Sequence, residues 1–281
     1  MASHRKLRAA AAVCVAAVVT GPVPAAAAAA PGLAPGPAPL AGTAAPTPGD
    51  PFAGLTPDQI ADRAVEATQS ATSLRMKGRI VSDDQPLDVD LALNDRNDCT
   101  GRLKIAGGTA ELRRADDITY MKGDETFWRA SMGSQGMPDG RIAATVELLK
   151  GRWLKVAPGQ PGSEDLGGIC NLKALLDDLD RDKDEDRDGT RDPDRGTLTR
   201  GRDGKVGDTP VATLVRKKPG GETSTVSVSR EGEPYILRTV KTGGDQPGSI
   251  TLSDYDKPVR VTVPPPGETV DLAKLNRGDP A

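Results

Sequence analysis

The runs Leu74-Arg-Met-Lys-Gly-Arg-Ile80 and Leu87-Asp-Val-Asp-Leu-Ala-Leu93 decide the fold. In each, apolar side chains alternate with polar or small ones, the period of a strand with one face in a core and the other in water. A tight turn at Asp83-Asp84 joins the runs into a hairpin. One allowed register sets Arg79 opposite Asp88 and Lys77 opposite Asp90. Opposite charges across a wet sheet face favour that register by roughly a few tenths of a kcal/mol per pair. The other face is wholly aliphatic: Leu74, Met76, Ile80, Leu87, Val89, Leu91 and Leu93.

Upstream of the hairpin, Thr56-Pro57-Asp58-Gln59 spells a capping box with proline at the first helical position. Ile60, Ala64, Ala67 and Ala71 then share one face of a helix ending near Ser73. Downstream, strands are expected at Cys99–Ala106, Thr109–Ala115 and Asp117–Lys122, then a short helix after Asp124 carrying Phe127 and Trp128. A helix over Arg141–Lys150 and a strand at Arg152–Val156 follow. Asn171 caps a helix with Leu172, Leu175, Leu176 and Leu179 at helical spacing. After an acidic loop, strands are expected at Val211–Val215, Glu222–Ser229, Pro234–Lys241, Ser249–Ser253 and Pro258–Val263. Strands and helices segregate along the chain, which implies an α+β layout of about eleven strands with helices against one face of an antiparallel sheet.

Residues 1–30 have the pattern of a secretory signal: a basic start at His4, Arg5, Lys6 and Arg8, an apolar stretch, then small residues at Ala25–Ala30. The apolar stretch is broken by Gly21-Pro22, short of the roughly 20 residues a membrane helix needs. Cys14 divides that stretch instead of ending it, so it reads as signal filler and not as a lipid anchor. Residues 31–51 are almost wholly Ala, Pro, Gly and Thr, the composition of a disordered tether. Residues 52–273 are expected to form one domain and 274–281 a disordered tail. Removal of the signal takes the formal charge from −3 to −6, which argues against a nucleic-acid partner. Cys99 and Cys170 remain, and an even pair in an oxidising compartment most simply forms one disulfide, two separate buried thiols being the alternative.

The element order resembles that of the LolA/LppX/LprG-like bacterial envelope proteins. The order is a helix, a five-strand meander, a helical insert, the strand at Gly151-Arg-Trp153, an Asn-capped Leu-rich helix, and a meander closing on Tyr255-Asp-Lys-Pro-Val-Arg-Val-Thr-Val-Pro-Pro265. The resemblance implies a large antiparallel unclosed β-barrel with helices against its concave face, enclosing an apolar cavity that carries lipid or acylated molecules. It departs from the pattern at the acidic loop Asp177–Asp194 and in lacking a lipobox. On this reading Leu74, Met76, Leu91, Leu103, Val146 and Leu176 line a lipid cavity, and Leu91→Trp reduces lipid uptake.

The only histidine, His4, lies in the signal segment. That excludes Ser–His–Asp hydrolysis and His-based zinc sites from the mature chain, and no catalytic residue or cofactor is expected. Asp184-Glu-Asp186-Arg-Asp188-Gly189 has the alternate carboxylates of a Ca²⁺ loop, but Arg195 stands where a bidentate glutamate is wanted, so any metal binding there is weak and a solvated loop is the rival reading. Aromatics are only 2% of the chain, so the adjacent pair Phe127-Trp128 is informative: either core, or an exposed pair for a membrane surface. Two functions follow. One is an exported, monomeric, non-enzymatic protein, secreted or associated with the cell envelope, that binds or carries a lipid or acylated component. The alternative is an envelope sensing or protein-interaction module with a filled core.

Overall fold

The computed structural model describes residues 49–82, 85–177, 196–244 and 246–273. Thirteen strands form one sheet: β1 (Ser73–Ser82), β2 (Gln85–Asn94), β3 (Cys99–Ile105), β4 (Gly108–Ala115), β5 (Ile118–Gly123), β6 (Trp153–Val156), β7 (Thr197–Arg200), β8 (Gly204–Val206), β9 (Thr209–Lys217), β10 (Thr223–Ser229), β11 (Ile236–Thr242), β12 (Gly248–Ser253) and β13 (Thr269–Asp271). Their order is β13-β6-β5-β4-β3-β2-β1-β12-β11-β10-β9-β7, with β8 beside β7 on the outer edge of β9. The two ends of this path do not meet, so the barrel is unclosed. Every pairing is antiparallel except β13 with β6.

The hairpin that decides the fold has the register its charges call for. Arg79 faces Asp88 and Lys77 faces Asp90. Arg79 donates to both oxygens of Asp88, at 2.5 and 2.7 Å, and Asp90 accepts from Arg75 Nε at 2.7 Å. The arginines are exposed and the aspartates only half-buried, so each pair sharpens register more than it adds stability.

The helices are α1 (Pro57–Gln69), α2 (Glu125–Ser134), α3 (Asp139–Leu149), α4 (Ser163–Ile169) and α5, residues 172–177. The capping box of α1 is formed: Gln59 N donates to Thr56 Oγ1 at 3.2 Å, and Thr56 N to Gln59 Oε1 at 2.9 Å. Asp124 caps α2 through Phe127 N at 2.7 Å, and Asn171 caps α5 through Ala174 N at 2.9 Å. α1 lies against β7 and β11, while α2 lies against β3, β4, β5 and α3. Two glycines make the second contact close. A Cβ on Gly108 would stand 2.1 Å from Phe127 N, and one on Gly123 would stand 2.5 Å from Phe127 Cδ1. Phe127 and Trp128 meet edge to face at 5.2 Å and are buried, as is Trp153 under the Arg113 guanidinium at 4.3 Å. The core reading of the aromatic pair therefore stands.

Cys99 and Cys170 are bonded, with Cα atoms 5.5 Å apart, which ties the start of β3 to the residue before Asn171 and α5. At the front of the domain, Asp50 accepts from Arg200 Nη2 at 2.5 Å, and Arg200 and Arg230 share Asp203 at 3.2 and 3.1 Å. That network pins the first described residues to β7.

The segment Pro258–Val263, expected as a strand, is not one. Both edges of β12 are already taken, by β1 and β11, so a strand following it has no partner there. The segment carries no regular structure and is held to β4 where Arg113 Nη1 donates to Thr262 O at 2.9 Å. Proline at 258 and at 264–266 removes the donors a ladder would need. β7, β8, β13 and α4 were not expected. Three of them are strands of three or four residues, too short to show a period.

The turn after β12 is a clasp. Asp254 and Asp256 hold positive φ, at 52° and 57°, where aspartate is one of the tolerated residues. Tyr255 stacks on Tyr235 at 4.0 Å, and its hydroxyl donates to Ile236 O. Asp256 accepts from Thr72 N at 2.8 Å, from Thr72 Oγ1 at 2.9 Å and from the Tyr235 hydroxyl at 2.7 Å. The Thr72 amide, and then the Tyr235 hydroxyl, hold the Asp256 carboxyl below the usual carboxylate range, and the same bond pushes Tyr235 up to about 12. Because its folded pKa is depressed, Asp256 stabilises the fold above its unfolded pKa of about 3.9, and that contribution is lost as pH falls through the folded value. Asp256→Asn, which keeps the backbone preference, should lower the melting temperature by about 2–4 °C at pH 7, after allowing for exposure. Melts at stepped pH should show parent and variant converging below about pH 4. A pH-independent gap would remove the carboxylate from the account.

Candidate functional site

Strand register sorts the inward-facing side chains into rows that cross the sheet. The deepest contains Leu74, Leu93 and Cys99, at 1%, 0% and 0% exposure. The next contains Leu252, Met76, Leu91 and Leu112. A third contains Leu214, Val226, Thr239, Ile250, Gly78, Val89, Leu103 and Ala110. The last contains Leu198, Arg216, Ser224, Lys241, Gly248, Ile80, Leu87, Ile105 and Gly108. Exposure rises from the first row to the last. Val226, Ile250, Ile80, Leu87 and Ile105 are only half-buried, although each belongs to the inward face.

Two grooves open along these outer rows. One, about 310 Å³, lies beneath the small side chains Ala61 and Ala64 of α1, with Leu198, Leu214, Val226 and Ile236 as apolar walls. The second, about 270 Å³, is lined by Ile80, Val81, Gly248 and Ile250. Thr239 and Lys241 line both. Arg216, Lys218, Glu222 and Lys241 form the polar end of the first groove. Glu222 takes both lysines, at 3.4 Å each. A larger groove, about 820 Å³, lies on the outer face along the ladder of Arg75, Arg79, Asp88 and Asp90, whose charges already pair with one another.

Of the residues expected to line a lipid cavity, Leu74 and Leu91 are 1% exposed. Leu103, Val146 and Leu176 are buried in the same cluster, and Met76 is half-buried against it. The six come together as the packed region between the sheet and the helices, and the described inner grooves lie further along the strands. None of the six borders either of those two. Leu91 is buried, so tryptophan there would disturb packing as well as any cavity, and Val226 and Ile250, which border the described grooves, are the positions that test them. The groove residues on β9 to β11 were missed, although Arg216 and Lys241 sit at the inward parity of their strands. A charge at an inward position is the sequence signal that marks them.

Asp184, Asp186 and Asp188 lie outside the described residues. Among the described residues no group of three His, Cys, Asp or Glu is placed to hold a metal ion. No described helix is long and apolar enough to cross a membrane.

No protein-family model and no curated protein matches the chain. Solved structures similar to it include LprF from Mycobacterium bovis, at 13% identity and a TM-score of 0.47, covering 74% of this chain and 96% of that one. The lipoprotein LppX from Mycobacterium tuberculosis has 13% identity and a TM-score of 0.43, covering 72% and 96%. A LolA superfamily protein from Nitrosomonas europaea has 10% identity and a TM-score of 0.23, covering 75% and 96%.

Proposed function

We propose that this is an exported, non-enzymatic protein that binds the acyl part of a lipid or acylated envelope molecule on the concave face of its sheet. The observation that carries the reading is the half-buried aliphatic strip Val226–Ile250–Ile80–Leu87–Ile105, continuous with two grooves. Aliphatic surface left half-covered on the inner side of a sheet gains about 0.8 kcal/mol for each methylene that displaces water from it. Aliphatic walls with the charged groups gathered at one end suit a flexible chain with a polar terminus, and the first groove lies at the lower end of the volume range of small-molecule sites. The basic-then-apolar start of the chain and the Cys99–Cys170 bond support export to an oxidising compartment.

Val226→Trp and Ile250→Trp test it, because each adds bulk at a half-buried position facing a groove. Loading with a fluorescent fatty-acyl probe should weaken at least tenfold in the pair, with melting temperatures within a few degrees of the parent. Organic extracts of the purified parent should contain acyl lipid by mass spectrometry. Equal loading by parent and variants, or no loading by the parent, would overturn the reading in favour of an envelope sensing or protein-interaction module.

A further inference from the structure

The last inward row is amphipathic along its length. Reading across the sheet, β7, β9, β10 and β11 contribute Leu198, Arg216, Ser224 and Lys241, then Gly248 leaves a gap, then β1, β2 and β3 contribute Ile80, Leu87 and Ile105. Neighbouring strands are about 4.8 Å apart, so a hydroxyl stands between two cations in a span one anionic group can bridge. Lys218 and Lys241 share the single carboxylate of Glu222. Arg216 is half-buried at the mouth of the groove and has no acidic partner among the described residues. Three cations against one carboxylate leave two positive charges at the polar end of a groove whose other walls are mainly aliphatic, with hydroxyls at Thr225 and Thr239. In a chain of formal charge −3, that local excess is against the overall balance.

We propose that Arg216, Ser224 and Lys241 form an anion subsite that takes a phosphate group, so that the ligand is a phosphate-bearing amphiphile. This rests on the acyl-groove reading above. The guanidinium offers a planar fork that matches two phosphate oxygens, Ser224 donates a hydroxyl hydrogen bond, and Lys241 supplies a point charge. The acyl part then leaves the subsite past Gly248, where no side chain blocks the floor, onto Ile250, Ile80 and Leu87. The groove beneath α1 can take a second chain past Thr239.

The test compares phosphatidylglycerol with diacylglycerol carrying the same fluorescent acyl chains, with inorganic phosphate as a third ligand. The parent should bind phosphatidylglycerol at least tenfold more tightly than diacylglycerol at low salt. Arg216→Ala with Lys241→Ala should reduce that ratio to below threefold, the loss falling mainly on phosphatidylglycerol. A parent that binds both lipids equally overturns the subsite and leaves the acyl groove standing. A double variant that weakens both lipids alike also overturns it. Binding of inorganic phosphate alone, lost in the double variant, would keep the subsite and assign it a free anion, overturning the acyl groove. Binding of none of the three overturns both.

Discussion

Replacing Cys99 and Cys170 together by serine is expected to lower the melting temperature by roughly 8–16 °C. The bond closes a loop of sequence separation 71. In the chain-entropy model, a loop of that length contributes about 4 kcal/mol, which a domain of this size reads out at about 2–4 °C per kcal/mol. Both cysteines are 0% exposed, so the serine hydroxyls would also enter a core with no water to satisfy them. The other described ties of α5 are the packing of Leu172, Leu175 and Leu176 into the core and a hydrogen bond of 3.3 Å from Gln69 Nε2 of α1 to Leu176 O, so the bond is the described covalent link between α5 and the sheet. Calorimetry on oxidised parent and double variant measures the effect, and thiol titration of the unfolded, unreduced parent should find neither Cys99 nor Cys170 reactive. A shift under 2 °C, or two titratable thiols, would show that the bond contributes nothing.

What was legible in the sequence is what local chemistry specifies. The register of β1 with β2 follows from the facing charges Arg79–Asp88 and Lys77–Asp90. The start of α1 follows from Thr56 and Gln59, which cap each other within one turn. What was not legible depends on which edges are vacant. Pro258–Val263 has strand alternation but no free neighbour, whereas Thr269–Asp271 shows no alternation and still pairs because the edge of β6 is open. The candidate site divides in the same way. Aliphatic parity identified the inner face, but parity does not say how deep each inward residue lies. Leu91 and Ile80 look alike in the alternation of their strands, and only packing makes one core and the other groove wall.

Alanine at Gly78 or at Gly101 is expected to destabilise the fold by about 3 kcal/mol or more, for a steric reason that their strand patterns do not reveal. A Cβ on Gly78 would stand 2.0 Å from Ser249 O of β12, and one on Gly101 would stand 2.0 Å from Asp90 O of β2. Both obstacles are backbone carbonyls within the ladder, so relief requires moving a strand instead of turning a side chain. Glycines inside strands mark close backbone approach and the sharp bends that let a sheet curl. These two sit on adjoining inward rows, one between Ile250 and Val89, the other between Leu91 and Leu112. Both are in the middle of the sheet, where the trough must curve around the helices. Each variant should melt about 6–12 °C below the parent. Gly140→Ala provides the contrast: in α3 its Cβ would meet nothing within 4 Å, and alanine in a helix should add about 0.5–1 kcal/mol. Melts of Gly78→Ala and Gly101→Ala within 2 °C of the parent would mean the strands tolerate a side chain there, and the curvature would then need another cause. Gly78 also lies in the row that holds Ile250, so an added methyl would push β1 and β12 apart beneath the second groove. Acyl loading should therefore fall in Gly78→Ala more than in Gly101→Ala, although the two lose similar stability.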